Sequence, residues 1–169
     1  MKPAAYILLL LSFLYITCKD KESINPIDTL PPETQTGAQT FGCLVNGQAW
    51  VPSVPFPLNR LTVDYYQGGF SIRATLKKDG RNQTISINKF SVLKSDKYVL
   101  TTYNNSSDGQ LFDYNTSCSY DTDSINIGLL EMTRVDTING YFSGRFSFTI
   151  GVAGCDTIRV TNGRFDVRL

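Results

Sequence analysis

Apolar residues are distributed in two ways along this chain. Ala4 to Ile16 forms one almost wholly apolar run, whereas from Thr40 onward apolar and polar residues alternate in short segments. Alternation with a period of two sends successive side chains to opposite faces, the pattern of a half-buried strand. Turn signals separate these segments roughly every ten residues, as in sandwiches and barrels.

The turn residues predict registers. Asn46-Gly47 is the strongest short hairpin signal; a two-residue turn there sets Val45 opposite Gln48 and Cys43 opposite Trp50. Phe41, Cys43, Val45 and Trp50 then share one face, expected to be core. A turn at Gly68-Gly69 sets Tyr65 against Ile72, Val63 against Ala74 and Leu61 against Leu76. A turn at Asp79-Gly80 sets Ala74 against Ile85 and Ile72 against Ile87. Both turns put the same residues of the middle strand on the apolar face, which predicts a three-strand meander over 60–92. "KYVLTTY" predicts a further strand, and "NNSSDG" at 104–109 an exposed polar loop. "INIGLLEM" and "GYFSGRFSFTI" predict a long hairpin closed around 135–140, with Phe142, Phe146, Phe148 and Ile150 on one face and Gly144 among them. Asn162-Gly163 predicts a last hairpin, with Val160 against Phe165 and Ile158 against Val167. The expected fold is all-β: one domain over 40–169, an antiparallel β-sandwich or partly closed barrel of about nine strands built from hairpins.

The residues before Thr40 follow different rules. Lys2 is the only charge before Lys19, and the apolar run between them is too short to span a bilayer but suits a signal-peptide core. It ends Tyr15-Ile16-Thr17-Cys18, which resembles a bacterial lipobox, with Thr17 and Tyr15 in place of the usual small residue and leucine. The resemblance implies a lipoprotein signal peptide over 1–17, lipidation of Cys18, and a lipid-anchored protein of the outer membrane facing the periplasm or the cell surface. Several acyl chains make such attachment effectively permanent, where one alone is marginal. Residues 19–39 contain Pro26, Pro31 and Pro32, are mostly polar and show no periodicity, so 18–39 is expected to be a lipid-anchored flexible tether. The charged "KDKE" after Cys18 is similar to the short tract that follows the lipid cysteine in Bacteroidota surface lipoproteins.

Composition removes several functions. Without Lys2 the 16 basic side chains become 15, against 15 acidic, and a balanced surface offers no basic stripe for nucleic acid. The chain has no histidine, so Ser-His-Asp and Cys-His catalysis and histidine metal sites are excluded. No glycine-rich phosphate loop lies between a strand and a helix. A carboxylate pair remains open to glycoside chemistry, but the domain has one glutamate, Glu131, and Asp79, Asp108 and Asp136 read as turn residues. No catalytic residue, metal or cofactor is predicted. Asp121 and Asp123, with Ser119 and Asn126 nearby, offer oxygen atoms of the kind calcium uses, but without the glycine and distal glutamate of an EF-hand; they read as a solvated strand start.

With Cys18 assigned to lipid, Cys43, Cys118 and Cys155 remain, and three pairings are open. Cys43 sits opposite Trp50 as a small hydrophobe; Cys118 and Cys155 flank the long hairpin and are the expected disulfide. Tyr66, Tyr103, Tyr114 and Tyr120 are candidates for stacking on sugar rings. Asp28-Thr29-Leu30, Asp123-Ser124-Ile125, Asp136-Thr137-Ile138 and Asp156-Thr157-Ile158 are similar to the O-glycosylation motif of Bacteroidota envelope proteins, with Thr29 the first candidate.

The two ends of the domain carry a wider resemblance. "LPPETQTGAQTFGCLVNGQAWVP" at 30–52 and "FSGRFSFTI…CDTIRVTNGRFDV" at 142–167 resemble an uncharacterised family of Bacteroidota lipoproteins, a domain of unknown function marked by TQTGxxTFGCLVNG and GRFD. The resemblance implies a small β-rich envelope lipoprotein and supplies no activity. The expected function is a non-catalytic binding or structural module, held to the membrane by its N-terminal lipid, with a glycan or an envelope protein as partner. The alternative is a carbohydrate-binding lipoprotein that assists glycan capture.

Overall fold

A computed structural model describes residues 25–102 and 107–169. Two antiparallel sheets face each other. The first has six strands in the order β2 (Gln48–Trp50), β1 (Thr40–Val45), β11 (Ile158–Arg168), β10 (Tyr141–Ile150), β9 (Gly128–Asp136) and β6 (Lys97–Leu100). The second has five, in the order β3 (Leu61–Tyr66), β4 (Gly69–Lys78), β5 (Arg81–Lys89), β7 (Ser107–Asp113) and β8 (Cys118–Asp121). Among the described residues the fold is a β-sandwich of 11 strands, and neither sheet closes into a barrel. The only helical element among the described residues is a four-residue 3-10 turn, Pro26–Thr29.

The layers cross at a large angle. Phe142, near the start of β10, packs on Tyr65 of β3 and Phe70 of β4. Phe148, six residues on, lies against Gly109 of β7. Moving along one strand of the first sheet therefore steps across the strands of the second, as in orthogonal packing. Alternation supplies the core: Phe70, Ile72, Ala74 and Leu76 of β4 meet Phe142, Phe146, Phe148 and Ile150 of β10, all buried. Phe70 stacks on both Phe142 and Phe165, at centroid distances of 5.3 and 5.5 Å. Trp50 is fully buried, and its indole N–H donates to Gln83 at 2.9 Å, so the polar end of the ring has a partner.

The first hairpin has the expected register, Val45 with Gln48 and Cys43 with Trp50. So do β4 and β5, with Ala74 opposite Ile85 and Ile72 opposite Ile87. The long hairpin of β9 and β10 closes over 137–140, also as expected.

Four expectations are corrected. The turn before β4 is Gln67-Gly68, so Tyr65 pairs with Phe70, Val63 with Ile72 and Leu61 with Ala74. Gln67 and Gly68 take φ of 49° and 84°, as Asn46-Gly47 and Asp79-Gly80 take positive φ at their turns. Such a pair matches the twist of a two-residue hairpin. The slip is two residues, so every side chain keeps its face.

Asn162-Gly163 makes no hairpin: β11 runs unbroken through it, pairing with β1 on one side and β10 on the other. Registers shift there on both sides, between Gly42 and Leu44 and between Phe146 and Phe148, marking a β-bulge. The extra residue moves the buried set from Ile158 and Val160 to Phe165 and Val167.

The "NNSSDG" loop ends early, because Ser107, Asp108 and Gly109 belong to β7. Asp108 is accordingly a strand residue paired with Asn88, whereas Asp79 and Asp136 do serve turns. Finally, 30–38 is laid across the outer face of the first sheet. Leu30 is buried, and Pro31 rests over Gly42, where an added Cβ would stand 2.7 Å from the proline ring. Cys18, residues 1–17 and Tyr103 lie outside the described residues.

Candidate functional site

The most heavily bonded polar centre is Asp166, the aspartate of the GRFD stretch. It is 1% exposed. The bulge turns Phe165 and Val167 inward, which leaves Asp166 on the outer face of β11, beneath the crossing segment. Its carboxylate accepts from the Thr34 hydroxyl at 2.6 Å, and from the backbone N–H groups of Thr36, Gly37 and Ala38 at 2.9, 2.9 and 3.2 Å. The Thr36 hydroxyl at 3.4 Å and the Ser143 hydroxyl at 2.8 Å complete the set. Burial by itself raises such a carboxyl, but these donors outweigh it and hold Asp166 down at about 2. The segment is thus a strap, and Asp166 is its clasp.

Outlying contacts hold the rest of the strap. Glu33 takes two bonds from the Arg145 guanidinium, at 2.8 and 2.6 Å, and Arg145 also reaches Glu131 at 3.5 Å. The hydrogen bonds from Arg145 hold the Glu33 carboxyl below its usual range. Arg134 donates to the Gln35 carbonyl, bonds Asp136, and lies over the Tyr141 ring at 4.2 Å. Gly37, at φ 75°, passes so close to Tyr141 and Arg168 that an added Cβ would meet them at 2.8–2.9 Å. Nothing in the TQTG composition announced this clasp. The available signal was an aspartate set between two core residues in "RFDV", which places a carboxylate on an outer strand face.

The clasp is built to hold. Ser143 and Asp166 form a hydroxyl–carboxylate pair, but a carboxylate held at about 2 is a feeble base for a serine proton. Burial pushes the Cys43 thiol far above its ordinary value, so it stays a protonated core residue.

Cys118 and Cys155 are bonded across the sandwich, with Cα atoms 6.2 Å apart, joining β8 to the loop after β10. Closing a 37-residue separation stabilises by roughly 3–4 kcal/mol. Beside the disulfide opens a cleft of about 480 Å³ lined by Asn46, Gln83, Asp113, Thr116, Tyr120 and Asp156, among others. Much of its polarity is engaged internally. Gln83 bridges Trp50 and Asp113, Asp113 also caps the Asn115 N–H, and the Asn46 side chain is bonded twice to the 157–159 stretch. A second groove of about 290 Å³ lies beside the strap, between Leu129, Arg145, Ser147 and Asn162.

Comparison adds nothing to these residues. No family model, no curated protein and no solved structure matches this chain.

The remaining candidates are scattered. Tyr66 and Tyr114 are exposed at opposite ends of the second sheet, on the β3–β4 and β7–β8 turns, while Tyr120 is buried. Asp123 accepts the N–H groups of Ile125 and Asn126, which lowers its carboxyl, and Asp121 accepts from Ser119. Among the described residues no group of acidic or cysteine side chains is arranged to hold a metal. Thr29, Ser124, Thr137 and Thr157, the hydroxyl residues of the Asp-Ser/Thr-apolar repeats, are all exposed.

Proposed function

We propose that this chain is a cell-envelope lipoprotein: a non-catalytic β-sandwich, anchored to the outer membrane through Cys18, that serves as a binding or structural module. The observation that carries the reading is the Cys118–Cys155 disulfide. Structural disulfides belong to oxidising compartments, and an N-terminal run ending in a lipobox-like cysteine is a route to one. Each cysteine then has its own role. Cys118 and Cys155 brace the sandwich, Cys43 fills core, and Cys18 takes lipid. The resemblance of the TQTG and GRFD stretches to Bacteroidota lipoproteins points the same way, and these two stretches meet at the clasp.

The strap gives the module a mechanical character. A flexible tether over 19–39 would let the domain wander, whereas the clasp fixes 30–38 to the sheet and leaves only the residues before Leu30 between anchor and fold. A clickable fatty acid fed to cells tests the reading. Wild type takes up label and Cys18→Ala does not; equal labelling of both contradicts it.

A further inference from the structure

One loop exposes apolar side chains that the fold has no use for. In 51–60, "VPSVPFPLNR", Phe56 is 98% exposed and Leu58 58% exposed. The loop is pinned rather than loose. Ser53 exchanges backbone bonds with Thr75 and Lys77 of β4 at 3.0 and 2.6 Å, and the Thr75 N–H donates to Arg60 at 2.9 Å. A Leu58-to-Pro55 backbone bond at 3.0 Å closes the tip. Both feet are therefore fastened to β4, and the tip holds an aromatic ring and a leucine out in water.

The surroundings of the loop are basic. Arg60, Lys77, Lys78 and Arg81 are all exposed. Lys77 is bonded to the loop through its backbone, and Arg81 reaches the Ala49 carbonyl of β2 at 3.2 Å, next to where the loop begins. Asp79 is the one acidic side chain within the 77–81 turn. The N-terminal part of the described chain arrives at the same corner. The 3-10 turn Pro26–Thr29 packs on β2, and Pro31 shares a small depression with Val51, Pro52 and Arg60.

We infer that this corner, with Phe56 and Leu58 at its tip and Arg60, Lys77, Lys78 and Arg81 around it, is the face the domain sets against an anionic lipid surface. Aromatic and aliphatic side chains gain by entering the headgroup boundary, and cations beside them are drawn to anionic lipid. The inference rests on the Cys18 anchor, and the anchor sets the distance. Eight residues lead from Cys18 to Pro26, a span of at most about 28 Å, so this corner is kept near the bilayer.

The test uses the full, membrane-inserted chain carrying Phe56→Cys, labelled with an environment-sensitive nitrobenzoxadiazole dye. Cys43 is buried, Cys118 is bonded to Cys155, and Cys18 carries the lipid in the membrane-inserted chain, so the new thiol is the reactive one. Ile138→Cys, at a position 93% exposed on the β9–β10 turn, is the control. Both are reconstituted in phosphatidylethanolamine–phosphatidylglycerol vesicles with spin-labelled lipid, and fatty-acid incorporation is measured on the same samples. The expected result is incorporated fatty acid, a blue-shifted dye at 56, and quenching by lipid several-fold above that at 138. Lys77→Glu with Lys78→Glu should reduce that quenching. Incorporated fatty acid with equal, water-like emission at both positions overturns the lipid-facing loop and leaves the anchor standing. A blue shift that follows protein density and ignores the lipid quencher means a second copy covers the loop, and overturns it as well. No incorporated fatty acid overturns the anchor, and this inference with it.

Discussion

Asn46-Gly47 and Asn162-Gly163 are the same dipeptide put to different uses. At 46–47 both residues take positive φ, 49° and 79°, and the chain reverses. At 162–163 only the asparagine does, at 52°, and the chain continues as a bulged strand. Glycine is needed for different reasons. At Gly47 the requirement is conformational, since an added Cβ would meet nothing within 4 Å. At Gly163 it is spatial: a Cβ would stand 2.5 Å from the Phe146 carbonyl oxygen and 2.7 Å from its ring. The local signal for a turn is real, but partners decide. Asn46 stands at the tip of a hairpin with the short β2 as its return strand, while Asn162 is enclosed between β1 and β10. The bulge also has a consequence the turn lacks, because it rotates Asp166 outward to receive the strap.

Gly163→Ala should have the largest effect, with a loss of about 3 kcal/mol or more, against about 1 kcal/mol for Gly47→Ala. Denaturant midpoints compare the two, and equal losses would erase the distinction.

Asp166→Asn separates the bulge from what it presents. The amide keeps one acceptor oxygen and turns an NH₂ toward strap donors, so a loss of about 2–3 kcal/mol is expected at neutral pH. The sign of the pH dependence follows from the depressed carboxyl. With the native value at about 2 and the unfolded one near 3.9, the stabilisation is complete above about pH 5 and is lost as pH falls through 2. The asparagine variant should lack this part of the acid dependence, which a denaturation series in pH reads directly. The smallest contrast is Asn46→Ala against Asn162→Ala. Each puts alanine at a positive φ, which costs about 1 kcal/mol, and the change at Asn46 additionally removes its bonds to Arg159 and Thr157. Asn46→Ala should therefore be the more destabilising of the two by denaturant midpoint.

These contrasts show what was legible in the chain. The meander could be read because period-two alternation survives a two-residue slip: choosing Gly68-Gly69 over Gln67-Gly68 gave wrong partners but the right core. The change of face between Val160 and Phe165 was also legible, and a hairpin and a bulge accommodate it equally well. Only the neighbouring strands choose between them, and one of these, β1, lies over a hundred residues away in sequence. The disulfide followed from where Cys118 and Cys155 fall around one hairpin. The strap was hidden, because prolines and polar residues describe a segment that does not build its own structure. They are silent about a carboxylate 130 residues away that collects its backbone N–H groups.

The central claim is that the two end motifs form one clasp, so that the fold begins before Thr40. Amide hydrogen exchange at Thr36, Gly37 and Ala38 tests it most directly, because these N–H groups donate to Asp166 and belong to no strand. In the wild type they should be protected to a degree comparable with the β1–β11 ladder, and in Asp166→Asn that protection should be lost while the ladder keeps its own. Exchange at the rate of an unstructured peptide in the wild type would contradict the clasp and return 30–38 to the tether.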